Sequence, residues 1–112
     1  MENAELRELL ANAVQEGVVP QELVDQIGEE SDIEEGRVAT ANLVDVYSRR
    51  LNRVAGNEDL REATYQLVEF LNRYPAEELN MVSVRPCPGG FHLFLADAQS
   101  LRILFWMRMF SR

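Results

Sequence analysis

The chain's single cysteine, Cys87, lies in the run Pro86-Cys87-Pro88-Gly89-Gly90, and its single histidine, His92, follows two residues after it. A thiol beside an imidazole is the pairing that nucleophilic catalysis uses. The imidazole takes the proton and the thiolate attacks. Asp97 is the nearest acid that could orient His92. No stretch reads as an oxyanion hole or a substrate pocket, so the pair is expected to be two strand-end residues that lie near each other. His92 and Asp97 offer two metal ligands and no third. One cysteine rules out a cysteine-built zinc cage and an intrachain disulfide. The Pro-Gly-Gly run is too short for a phosphate-gripping loop and lacks its lysine. Glu77 and Glu78 are adjacent and point differently, and Tyr47, Tyr65 and Tyr74 fall at helical spacing where packing explains them. No enzyme, cofactor or metal centre is expected.

Charge is more informative. The 112 residues carry a formal charge of −8. Residues 1–36 hold eleven Asp or Glu against Arg7 alone, and the remainder holds eight acids and ten arginines, with no lysine anywhere. An acidic surface repels phosphate, which excludes general binding to nucleic acid or to an anionic membrane. It attracts a basic protein instead. Glu29, Glu30, Glu34 and Glu35 are the candidate contacts, in the stretch Gly28–Gly36. These acids lack the alternating spacing of a calcium loop. The amino terminus lacks the basic start and apolar run of a signal peptide, and the apolar stretch at 101–109 is too short to span a bilayer. A soluble cytoplasmic protein is expected.

Three sets of elements position these residues. Over residues 1–30, a helix covers about 4–15, capped by Asn3 and ended by Gly17. A short second helix begins at Pro20 and stops at Gly28. Glu22 and Asp25 on that second helix speak against reading DNA. Residues 31–74 are expected to form an antiparallel helical hairpin. Ser31 and Glu34 read as a capping box for a helix from Asp32 or Arg37 to Ala55, with a stripe of Leu43, Tyr47, Leu51 and Val54. Arg49, Arg50 and Arg53 near its end suit the helix dipole and could pair with the acidic segment. Gly56 ends that helix. Residues 58–73 follow, with Leu60, Ala63, Thr64, Leu67, Val68, Leu71 and Tyr74 on one face, stopped by Pro75. Ala76–Leu79 reads as one extra turn.

After residue 80 the apolar period changes from 3.6 to 2. Met81–Arg85, Phe91–Ala96 and the segment after Asp97–Ser100 predict a three-stranded antiparallel meander over 80–110. Phe91–Phe110 contains four of five phenylalanines and the only tryptophan. Leu101, Ile103, Phe105, Met107 and Met109 share one parity and should face the core. An alternative helix over 98–110 is also consistent with the spacing.

The fold class is therefore α+β: about four helices packed on a meander, in one domain. The opposite parity carries Phe94, Leu104, Trp106 and Phe110, more apolar surface than an ordinary exterior shows. Those four are the candidate anchors for another protein or a homodimer, unless the amino-terminal helices cover them. The function expected is a non-enzymatic adaptor or regulatory protein. The alternatives are an inhibitor or immunity-like protein that masks a basic nuclease, and a structural subunit of a larger assembly.

Overall fold

The computed structural model describes residues 3–28, 31–51, 57–74, 77–85 and 90–110. Among these residues the fold is α+β, with four helices and a four-stranded antiparallel sheet. The order along the chain is α1 (Asn3–Gln15), α2 (Gln21–Gln26), β1 (Asp32–Ala39), α3 (Thr40–Leu51), α4 (Asn57–Arg73), β2 (Glu78–Arg85), β3 (Gly90–Asp97) and β4 (Ile103–Phe110). Strand order in the sheet follows chain order, so β1 and β4 form the two edges.

The fourth strand corrects the start of the helix expected from Asp32 or Arg37 to Ala55, whose described helical part is α3, Thr40–Leu51. Asp32–Ala39 pairs along its whole length with β2, from Asp32 opposite Arg85 to Ala39 opposite Glu78. Gly36 would have sat in the second turn of that helix, at a cost of about 1 kcal/mol. β-Branched Ile33 and Val38 prefer the strand, and pairing with β2 satisfies backbone groups that a charged linker would leave to water. Ser31 does not cap a helix. Its hydroxyl donates to the carbonyl of Gly28 at 2.8 Å and turns the chain into β1. Of the expected turn at Ala76–Leu79, Ala76 lies outside the described residues, while Glu78 and the fully buried Leu79 belong to β2.

Alternation along β2, β3 and β4 divides the sheet into two apolar faces. On one face Leu79, Met81, Leu93, Leu95 and Met107 meet Leu43 of α3 and Ala63, Leu67 and Phe70 of α4. On the other, Val82, Val84, Phe94 and Ile103 meet Leu6, Leu10 and Ala13 of α1, Val19, Leu23 of α2, and Ile27. The sheet is thus the middle layer of three, and the amino-terminal helices cover the second parity. The α4 stripe is rotated from the predicted one. Phe70 is buried and stacks against Tyr74 at 5.8 Å, while Val68 is exposed.

Local chemistry sets the ends of these elements. Gly17 takes φ 78° after α1, Val18 N–H reaches the Ala13 carbonyl at 2.9 Å, and Gly17 N–H reaches that of Val14 at 3.1 Å. This pair of bonds satisfies carbonyls the helix end would orphan. Pro20 stands one residue before α2, as its extended N-cap rather than its first helical residue. Residues 98–110 are not a helix: β4 runs from Ile103 to Phe110. A bulge falls at its start, because Leu95 faces Phe105 while Ala96 faces Ile103, leaving Leu104 as the extra residue. The expected single parity of 101–109 therefore breaks. Ile103 packs toward α1 and α2, Phe105 packs with Phe70 on the opposite face, and Leu101 is exposed.

Candidate functional site

His92 is the most unusual side chain. It lies mid-sheet, between Val84 of β2 and Arg108 of β4 in register, and is fully buried. Its ring sits 6.2 Å from that of Phe94 and 6.4 Å from that of Trp106, and neither ring nitrogen has a hydrogen-bond partner among the described residues. Burial, reinforced by the nearby charge of Arg108, lowers its pKa to about 4. A neutral imidazole walled in by apolar rings suits a core better than proton transfer.

Asp97 does not orient His92. It stands five residues along the same strand, roughly 17 Å away, on the opposite face. Its Oδ1 accepts the backbone N–H groups of Gln99 at 2.8 Å and Ser100 at 3.1 Å, and its Oδ2 accepts the hydroxyl of Tyr74 at 3.0 Å. The bonds from Ser100, Gln99 and Tyr74 hold the Asp97 carboxyl below the usual aspartate range. The bond to Asp97 raises the Tyr74 phenol. A carboxylate held ionised and a phenol held protonated tie α4 to the β3–β4 connection. Arg37, Glu77, Glu78, Ala98 and Gln99 surround this pair in a wide depression of ≈ 800 Å³. Cys87 lies outside the described residues, and among those described no group of three His, Cys, Asp or Glu could hold a metal ion.

The apolar candidates separate. Phe94 is fully buried beneath α1 and α2, so it cannot anchor a partner on the folded chain. Of the two alternatives, an open aromatic face or cover by the amino-terminal helices, Phe94 follows the second. The covering helices supply the apolar surface that an interface would have supplied. Trp106 is half-buried, and its indole Nε1 donates to the Val18 carbonyl at 3.1 Å. Leu104, also half-buried, packs toward α3 and α4. Phe110 is placed by its register opposite Gly90. Leu104 and Trp106 therefore border opposite faces of one edge strand rather than sharing a surface.

The acidic candidates lie at the opposite edge. Glu34 and Glu35 are exposed in the middle of β1, on opposite faces, with Asp32 and Arg37 exposed beside them. A side chain placed at Gly36 would meet nothing within 4 Å, so the middle of the strand is uncovered. Glu29 and Glu30 lie outside the described residues. Among the predicted arginines, Arg49 pairs at 2.8 Å with Asp45 of its own helix rather than with the acidic segment. The residue type that could have revealed this strand was Gly36, whose place inside a supposed helix carried a cost.

No protein-family model matches the chain, and comparisons with curated proteins and with solved structures return no match. Among the described residues, no helix is long and apolar enough to cross a membrane.

Proposed function

We propose that this protein is a non-enzymatic adaptor or regulatory domain that binds a basic protein along the outer edge of β1. One observation carries the proposal: Asp32, Glu34 and Glu35 are exposed on an edge strand that, among the described residues, has a neighbour on one side only. An edge strand offers unpaired backbone N–H and carbonyl groups to an extended segment. The carboxylates on both faces of β1 would attract lysine or arginine on alternate positions of that segment. Charge steers the encounter, and backbone pairing holds the complex.

An inhibitor that masks a basic nuclease is a narrower form of the same chemistry. The antiparallel pairing of α3 with α4 belongs to this proposal too, as the scaffold that keeps β1 in place.

The test uses a fluorescent extended peptide with lysine at alternate positions, titrated against the full chain at low and moderate salt. Binding is expected to weaken with salt, and to fall at least ~10-fold in a Glu34→Lys/Glu35→Lys variant. Equal affinity for the variant would overturn the electrostatic mechanism.

A further inference from the structure

The second edge of the sheet has the opposite character. Leu104, Phe105 and Trp106 of β4 are half-buried, and they lie against both apolar layers. Arg108 is the strand's one charged residue. Long apolar edges are where strands add, whereas the carboxylates of β1 would repel a second β1. The edge is also held in place. Trp106 is tied to the Val18 carbonyl, and Arg108 Nη1 donates to Gln26 Oε1 at 3.0 Å. Both side chains are thereby fixed to the α1–α2 layer.

Symmetry restricts how two such edges can meet. Antiparallel neighbours related by a two-fold axis place one residue opposite its own copy. In the regular part of β4 beyond the bulge, the central choices are Trp106, Met107 and Arg108. Centring on Arg108 opposes two guanidinium groups, which is unfavourable. Centring on Trp106 sets Arg108 opposite apolar Leu104. Centring on Met107 puts each Arg108 across from Trp106 of the second copy, on the same face, where a guanidinium stacks on an indole. The Met107 side chain itself is buried in its own core, so no charge falls on the axis.

We propose that β4 pairs antiparallel with β4 of a second copy about Met107, making one continuous eight-stranded sheet. The two β1 edges then form its outer ends and stay free for a partner. The dimer does not depend on the basic-partner proposal, and its test leaves that proposal untouched.

Sedimentation of the full chain from ~1 to ~500 µM, a range suited to a small interface, should show mass rising from 12.8 kDa toward twice that value. Arg108 is exposed, so Arg108→Glu loses the Gln26 bond without opening the core, should keep its fold by circular dichroism, and should weaken dimerisation at least ~10-fold. Glu34→Lys/Glu35→Lys should dimerise like the parent. Backbone amide exchange in β4 should slow at high concentration, and that in β1 should not. A monomer at every concentration overturns the proposal. So does a dimer that is indifferent to Arg108→Glu and has unchanged β4 exchange.

Discussion

His92 shows how a residue with catalytic potential becomes a source of acid sensitivity in the core. Its folded pKa of about 4 lies below the ordinary 6.5, so the unfolded chain binds the proton more readily. Stability is then fully present above pH 6.5 and declines as pH falls toward about 4. That difference corresponds to roughly 3 kcal/mol. Denaturant unfolding followed from pH 7.5 to 4 should show that decline. His92→Leu, which fills similar space without two unpartnered nitrogens, should flatten it and raise stability at neutral pH by about 1–3 kcal/mol. An unchanged acid slope in His92→Leu would assign the loss to other groups. Asp97 would not imitate the effect, because its lowered pKa confines its contribution to more acid conditions. Sequence alone showed that His92 lay on a strand next to aromatic residues. Its burial depended on α1 and α2, whose positions no local pattern reveals.

At the level of elements, periodicity was a good guide where each strand packed against both layers. Leu93 and Leu95 against Phe94 and Ala96 in β3, and Val82 and Val84 in β2, divide between the two faces as alternation requires. It misled in β1, where only Ile33 and Val38 contact the cores and charged residues occupy the middle. An edge strand needs backbone pairing more than side-chain burial, so its apolar signal is faint. The bulge at Leu104 defeated alternation for another reason, since one inserted residue reverses every following side chain. The preceding connection closes with Leu101 N–H on the Asp97 carbonyl at 2.8 Å and with Leu101 at φ 59°. A branched residue in that left-handed region costs about 1–2 kcal/mol. Because Leu101 is 42% exposed, little packing offsets the strain. Leu101→Asn should raise the denaturation midpoint by an equivalent of up to about 1 kcal/mol, since asparagine tolerates this conformation. A lowered midpoint would mean that the packing of Leu101's covered part outweighs its backbone strain.

Across the whole molecule, the division of labour follows the sheet's two faces and two edges. The faces are claimed by helices, which is why Phe94, which looked like part of an open interface, serves as core. The α1–α2 layer is fastened along β4 by Arg102 to Glu16 at 3.0 Å, Trp106 to Val18, and Arg108 to Gln26. The first is an exposed ion pair worth at most about 1 kcal/mol. Burial of Leu6, Leu10, Leu23 and Phe94 supplies more, at about 1.5–3 kcal/mol for each fully buried large side chain. The candidate site was legible in part. Glu34 and Glu35 were recognisable as acidic surface from composition, while their place on an open edge required the pairing with β2.

That placement has a kinetic consequence. Residues 98–102 separate β3 from β4, whereas residues 40–77, including two helices, separate β1 from its neighbour β2. Closing the longer connection costs roughly 2 kcal/mol more in chain entropy. The β2–β3–β4 meander should assemble first, and the acidic strand should be the last to join. Stopped-flow refolding can check this order. Val38→Ala should speed unfolding while leaving the folding rate nearly unchanged, because contacts formed after the transition state act on the unfolding limb. A slowed folding rate would place β1 in the nucleus. The surface proposed to meet a partner would then be the part of the native structure that forms latest and opens most readily, with partner capture closing it from outside.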